Sequence, residues 1–192
     1  MLDLVLKKRS IAFRISVKGS IAFLLVALAV ALPQIVHAAS GASAASVWMP
    51  MYAPALLAGC LLGWQWGLGV GIASPLVSFG FTTLALGTGM PRAAGLPYYV
   101  LELAAYGLIS GLFAKKIQKN VWLAFPAVIA AQVSGRVVYL IYNLIAGRSF
   151  LSLWSNIQTG LTGLYLQAIL VPLAVIVLAF ALKRDREENE AE

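Results

Sequence analysis

The sequence predicts an all-α integral membrane protein, a compact bundle of six transmembrane helices with both termini in the cytoplasm. Its composition points to this class, because 61% of the 192 residues are hydrophobic and only 11% are charged, whereas soluble domains are about half apolar and a quarter charged. Long apolar runs also alternate with short segments that carry charges, glycine or proline. Most of these runs approach the ~20 residues that a helix needs to cross a bilayer.

Six apolar segments, here called spans one to six, make up the predicted membrane domain, residues 19–182. Span two is short, and the glycine- and tryptophan-rich segment after it, 63–67, predicts a tight turn at the membrane interface. Prolines near predicted helix starts cost little there, while Pro75 and Pro172 inside helices predict kinks. The spans cover approximately residues 19–36, 51–62, 66–86, 96–114, 121–145 and 157–182.

Lysine and arginine counts predict the orientation of the spans. Six crossings place eleven basic residues on one side and leave only Arg92 and Arg148 in loops on the other, and basic loops stay in the cytoplasm. We therefore expect a basic cytoplasmic segment over 1–18 and a polar, disordered cytoplasmic tail over 183–192. The eleven are Lys7, Lys8, Arg9, Arg14, Lys18, Lys115, Lys116, Lys119, Lys183, Arg184 and Arg186.

A cleaved signal peptide is the alternative interpretation of the N-terminus. Lys7 to Lys18 would form its basic region, span one its apolar region, and Val36-His37-Ala38 its cleavage site. Cleavage would leave five spans with the C-terminus still in the cytoplasm. N-terminal sequencing of the purified protein distinguishes the two.

The scarce residue types exclude several classes of protein. One cysteine, one histidine and seven acids leave no disulfide framework and almost no metal ligands or general acids and bases. The P-loop and H-E-x-x-H motifs are absent from the sequence. We therefore expect no enzymatic activity, cofactor or metal, and any ATP hydrolysis that drives transport must come from a partner. The basic residues lie at the chain ends and in one loop, which argues against nucleic-acid binding.

Small residues recur every four positions in spans one to four. This spacing lets helices approach closely in lipid, and for the glycines we expect packing inside the bundle. On span one the pair Ala27 and Ala31 fits internal packing and an interface with a separate protein equally well. The glycine series are Gly59, Gly63, Gly67 and Gly71, and Gly107 and Gly111.

Two charged residues, Glu102 and Arg136, lie inside apparent spans, where such groups usually face a bundle interior or a cavity. Helical spacing places other polar residues on the same faces. We expect these faces of spans four, five and six to form a polar pocket that opens outward. The alternative is a structural Glu102–Arg136 pair with amides joining the helices. The polar faces carry Tyr99, Glu102 and Tyr106; Gln132, Arg136, Tyr139 and Asn143; and Thr159, Gly163 and Gln167.

The predicted outer ends of the spans add further candidates. Asn156 and Gln158 lie at the outer entrance of span six. Arg92 and Trp154, in predicted outer loops, are the residues that we expect to close over a ligand. Trp48, Arg148 and His37 at the same end either contact a ligand or only meet the membrane interface and solvent.

Four groups of residues, in this order and spacing, resemble the substrate-binding S components of energy-coupling factor (ECF) vitamin transporters. The resemblance covers nearly the whole chain. They are Pro54–Gly63 (PALLAGCLLG) with Gly67, Gly71 and Ser74-Pro75; Thr88–Pro91 (TGMP) with Leu101–Gly107 (LELAAYG) and Gly111; Gly135-Arg136; and Gly160–Gly163 (GLTG) with Leu166-Gln167 and Pro172.

The resemblance implies a plasma-membrane protein that captures a vitamin or related micronutrient in a pocket of spans four to six. It implies that Ala27 and Ala31 dock onto a membrane-embedded T subunit, which is bound to two cytoplasmic ATPases. The substrate would be a small, water-soluble cofactor precursor with hydrogen-bonding groups, and a carboxylate is one group that Arg136 or Arg92 would bind. A membrane scaffold, or an ion-coupled carrier working alone, remains the alternative.

Overall fold

In the computed structural model, which describes residues 10–41 and 44–191 without the side chains of residues 45, 46 and 183–191, the protein is a bundle of helices. No strand occurs in this part of the chain. The helices are α1 Ile11–Ser40, α2 Ala44–Trp48, α3 Tyr52–Leu62, α4 Trp64–Leu86, α5 Leu96–Leu112, α6 Ala114–Lys119, α7 Ala124–Ile145 and α8 Phe150–Ala191, with 3-10 turns at Ala93–Gly95 and Val121–Leu123.

Five helical segments are long and apolar enough to cross a membrane. α3, which corresponds to predicted span two, has only 11 residues; it is about 16 Å long, against a hydrocarbon core of about 30 Å. The chain is therefore a multi-pass α-helical membrane protein. The five segments are Ile11–Ser40, Trp64–Leu86, Ala93–Lys119, Val121–Ile145 and Phe150–Leu182.

The first and last long helices extend beyond the predicted spans. α1 begins at Ile11, where the side chain of Ser10 accepts a hydrogen bond from the backbone N–H of Phe13 at 3.3 Å. α8 begins at Phe150 and places Trp154 inside a helix, so the prediction that Trp154 lies in a loop is wrong. Apolar residues at the start of α8, such as the fully buried Leu153, carry the helix past the predicted boundary. At its other end α8 continues to Ala191 through the polar segment; disorder of this tail stays a prediction.

Glycine lets α3, α4 and α5 touch through their backbones. A side-chain carbon on Gly67 would collide with the backbone of Gly107, and one on Gly107 would collide with that of Gly67. Gly59 and Gly71 face α5 equally closely. Internal packing, predicted from the spacing, is confirmed for these glycines. Gly63 has another role, because it forms the turn between α3 and α4 with a φ of 100°, which favours glycine.

The bundle has two ends that differ in chemistry. At one end, here called the cavity end, a cavity is lined by residues of α1, the start of α3 and the start of α5, Tyr52 among them. At the opposite end, here called the lysine end, Leu62 lies with Lys18 and Lys115 around a second cavity. α3 thus runs from the cavity end to the lysine end although it is short.

α1 lies at the edge of the bundle and buries few side chains. Ala22, Ala29 and Val30 face the other helices, whereas Ala27 and Ala31 lie on the exposed face. The large apolar side chains exposed on α1 between residues 23 and 35 are Phe23, Leu24, Leu28 and Ile35.

Candidate functional site

A buried ion pair joins α5 to α7. Glu102 on α5 is fully buried, and its Oε1 lies 3.1 Å from Nη1 of Arg136 on α7. The other carboxylate oxygen, Oε2, accepts a hydrogen bond of 2.8 Å from the hydroxyl of Tyr52 at the start of α3. A carboxylate at membrane depth needs such partners, because lipid supplies none. Three helices are therefore tied together at Glu102.

Away from Glu102, aromatic rings and a thioether lie against the guanidinium of Arg136. The rings of Tyr52 and Tyr139 lie 5.6 and 5.7 Å from it, within cation–π range. Its Nη2 lies 2.6 Å from Sδ of Met49, and its Nε is buried without a hydrogen-bond partner. Only the Nη1 side of the guanidinium thus meets a carboxylate.

α8 holds the segment that contains Met49 in place. Nε2 of Gln167 donates hydrogen bonds to the backbone carbonyls of Met49, at 2.8 Å, and Trp48, at 3.1 Å. Gly163 lies against the carbonyl of Trp48 so closely that a side chain there would collide with it. Met49 itself has a φ of 47°, which is uncommon for any residue except glycine. The structure therefore fixes this backbone in a strained conformation.

The cavity at the cavity end has a volume of about 560 Å³ and lies beside the ion pair. Met49 and Tyr52 line it and also contact Arg136 or Glu102, so these two side chains separate the pair from the cavity. The lining residues are Pro33, His37, Met49, Pro50, Met51, Tyr52, Ser78, Met90, Pro91, Arg92, Ala94, Gly95, Tyr98, Tyr99 and Arg148.

Hydrogen bonds from α4 fix the loop that forms one wall of the cavity. The hydroxyl of Ser78 donates to the backbone carbonyl of Met90 at 2.8 Å, and the hydroxyl of Thr82 accepts from the backbone N–H of Met90 at 2.7 Å. Both side chains are fully buried. The loop is therefore anchored to α4 just before Pro91 and Arg92.

Aromatic rings form another part of the cavity wall. The rings of Tyr98 and Tyr99 lie 4.6 Å apart, and the edge of Tyr98 meets Tyr139 at 5.4 Å. The guanidinium of Arg148 lies over the ring of Tyr98 at 5.6 Å. This wall presents a cation and flat apolar surfaces to the cavity, a combination that suits a small planar molecule.

The predicted site residues separate into three groups in the structure. Arg92 and Tyr99 line the cavity, and Glu102 and Arg136 lie behind it. Tyr139, Asn143 and Gln167 are buried nearby: Tyr139 contacts Arg136, Asn143 donates to the Tyr139 carbonyl at 2.8 Å, and Gln167 holds the Met49 segment. The third group, Trp154, Asn156 and Gln158, is exposed on α8 and does not line the cavity.

One predicted polar residue joins two helices instead of facing the cavity. Nε2 of Gln132 on α7 donates to the carbonyl of Leu164 on α8 at 3.0 Å. This contact is the amide link between helices that the alternative interpretation of the polar faces predicts. The polar faces therefore include both packing contacts and residues near the cavity.

Sequence reasoning missed Met49, Tyr52 and Tyr98 as residues of the site. Tyr52 carries the only hydroxyl in predicted span two, and a hydroxyl next to an apolar run is a signal that a buried carboxylate has a partner there. Tyr98 is adjacent to the predicted Tyr99. Met49 gives no such signal, because a methionine next to a membrane span is an ordinary packing residue.

The charges around the cavity are predominantly positive. Arg92 and Arg148 line it, Arg136 lies behind it, and Glu102 is the only carboxylate in the described part of the bundle to face this region. Within the described residues there is no group of three or more side chains suited to hold a metal ion.

Comparisons with protein-family models, curated proteins and solved structures find no match for this chain.

Proposed function

We propose that this chain is the substrate-capture subunit, or S component, of an ECF-type importer for a vitamin or related micronutrient. The observation that carries the proposal is the cavity of about 560 Å³ beside the buried Glu102–Arg136 pair. Its volume is within the range of about 300–1,000 Å³ of small-molecule sites. Its lining combines guanidinium groups and hydroxyls with flat rings, which suits a small, water-soluble cofactor precursor.

In this proposal the chain crosses the plasma membrane six times, with both termini in the cytoplasm. The course of α3 supports six crossings, because this helix runs from the cavity end to the lysine end although it has only 11 residues. The basic residues Lys115, Lys116 and Lys119 lie on the same side of the bundle as the turn after α3. Basic loops favour the cytoplasm, so the cavity faces the exterior and captures the substrate there.

A capture subunit of this kind needs partners to drive transport. The sequence has no P-loop, so in this proposal two ATPase subunits hydrolyse ATP and a membrane-embedded T subunit couples them to this chain, which is not itself an enzyme. Ala27 and Ala31 on α1 are exposed, as a docking face for the T subunit requires. Small side chains let a partner helix approach closely in lipid.

Ligand binding to the purified protein tests the proposal. The protein would be purified in detergent and examined by native mass spectrometry, first as isolated and then with a panel of water-soluble vitamins. We expect one vitamin to bind at a stoichiometry of one. Arg148→Ala should weaken it because Arg148 lines the cavity, whereas the control Lys119→Ala, at the other end, should not. Absence of binding for the whole panel would overturn the proposal.

Co-purification distinguishes the two other candidate functions. An S component retains a T subunit and ATPases in mild detergent. A membrane scaffold would retain other partners and bind no vitamin, and an ion-coupled carrier would transport without ATPases. One observation favours the scaffold: the Gln132–Leu164 hydrogen bond between α7 and α8 shows a buried polar side chain that joins two helices and does not face the cavity.

A further inference from the structure

The guanidinium of Arg136 has an unused binding edge. Arginine presents Nε and Nη2 side by side on one edge, and this edge matches the two oxygens of a carboxylate. Glu102 does not use it, because Oε1 meets Nη1. Nε has no hydrogen-bond partner, and Nη2 donates to the thioether of Met49, which is a weak acceptor. The edge is thus buried and unsatisfied.

Met49 covers this edge on the side of the cavity. Its side chain both contacts Nη2 of Arg136 and lines the cavity. Its backbone is fixed by the hydrogen bond from Gln167, but a methionine side chain has three rotatable bonds and adapts readily. Rotation of this one side chain would withdraw the thioether from Nη2 without moving a helix.

The remaining charges favour an anion in the cavity. Arg92 and Arg148 line it, and no carboxylate is among the lining residues within the described part of the chain. The acid behind it, Glu102, is already engaged by Tyr52 and Arg136. With a neutral or cationic ligand, the three positive charges of the guanidinium groups would be balanced by only one carboxylate. An anionic ligand would reduce this imbalance.

From these contacts we infer that the ligand is an organic carboxylate, an inference that rests on the proposed function. Its two carboxylate oxygens accept hydrogen bonds from Nε and Nη2 of Arg136, in the place where the Met49 thioether now lies. The body of the ligand lies in the cavity against Tyr98 and Tyr99. Arg92 and Arg148 attract the anion to the opening.

Matched pairs of an acid and its neutral analogue test this ligand class. The full-length protein in detergent would be titrated with nicotinate and nicotinamide, pantothenate and panthenol, and biotin and biotinamide, by calorimetry. We expect one acid to bind and its neutral analogue to bind about 10- to 100-fold more weakly, as the loss of charged hydrogen bonds predicts. Equal binding of both members, or binding of an uncharged or cationic vitamin instead, would overturn the inference but leave the capture function intact. If no vitamin binds at all, both are overturned.

A matched pair of variants at Met49 tests the position of the carboxylate. Met49→Glu places an internal carboxylate at the Arg136 edge, so we expect a higher melting temperature and loss of acid binding. Met49→Gln has nearly the same shape without the charge and should retain binding within about tenfold. Equal loss of binding in both variants at native-like melting temperatures, or undiminished binding in Met49→Glu, would contradict the inference. Because the two substitutions differ by a single functional group, general damage to the fold affects both alike.

Discussion

Glu102 and Arg136 face each other at 3.1 Å across the contact of α5 with α7, and the hydroxyl of Tyr52 brings α3 to the same carboxylate. Each oxygen of Glu102 has a partner, whereas Arg136 meets aromatic rings and a thioether on its other sides. Such a pair contributes little net stability when intact, but it is costly to break. It therefore specifies how three helices meet more than it strengthens their packing.

Removal of one partner of the pair should destabilise the bundle strongly. In Glu102→Gln the guanidinium of Arg136 stays buried without a counterion, and we expect a loss of about 3–5 kcal/mol. The melting temperature in detergent measures this loss. The double variant Glu102→Gln/Arg136→Met should recover a part of it, because no unpaired charge remains. Lys119→Met, which removes an exposed cation, is the control and should melt like the native protein; an unchanged melting temperature in Glu102→Gln would refute the expectation.

A methyl group on Gly107 should separate α5 from α4. The added carbon of Gly107→Ala would collide with the backbone of Gly67, and overpacking of this kind costs about 1–3 kcal/mol. Gly69→Ala is the matched control, because Gly69 lies in α4 with nothing within 4 Å of the added carbon. We expect a lower melting temperature for the first variant and no decrease for the second. Equal effects in both would show that the close contact does not limit stability.

Cysteine labelling tests the six crossings. The native protein has one cysteine, Cys60, which is buried and should not react, so it serves as the internal control. With a membrane-impermeant maleimide on intact cells, we expect Ser149→Cys at the cavity end to react. Gln65→Cys and Lys119→Cys at the lysine end should react only after lysis. Labelling of Gln65→Cys in intact cells would mean that α3 does not cross.

A bulky residue on the exposed face of α1 should prevent docking of a partner. Ala27 is exposed, and Ala27→Trp would hold a partner helix away from the small-residue face. We expect loss of the co-purified T subunit and ATPases, with vitamin binding retained. Leu84→Trp is the control, because Leu84 on α4 is 90% exposed and outside the proposed interface. Retention of the partners by Ala27→Trp would place the docking face elsewhere.

Spacing along α7 predicted correctly which side chains face inward. On α8 it was right for Gln167 but wrong for Thr159, which is exposed. Gln132, Tyr139 and Asn143 are all buried on the inner face of α7, as their intervals of seven and four residues indicate. Glu102 is likewise buried. Periodicity along one helix reports which face is polar, and a polar face in an apolar helix turns away from lipid.

The neighbours of these inward faces were not predictable in the same way. Tyr52 is 50 positions away from Glu102 in sequence. Met49 contacts Arg136 from a strained backbone conformation that no sequence motif predicts. The predicted pocket consequently involved spans four to six, whereas the cavity is lined by α1, the segment before α3, α4, the loop before α5 and the start of α5. Of spans four to six only span four lines it, and Arg148 comes from the loop between α7 and α8. Helix spacing carries no information about which helix lies opposite.

The shortness of α3 has a consequence for how the protein enters the membrane. α1 is 30 residues long and buries few of its side chains, so its insertion is favourable as soon as it leaves the ribosome. α3, with 11 residues that are nearly all buried, is too short to remain in the bilayer by itself. We expect the translocon to retain α3 until α4 and α5 emerge and enclose it, so that these three helices are released into lipid as one unit.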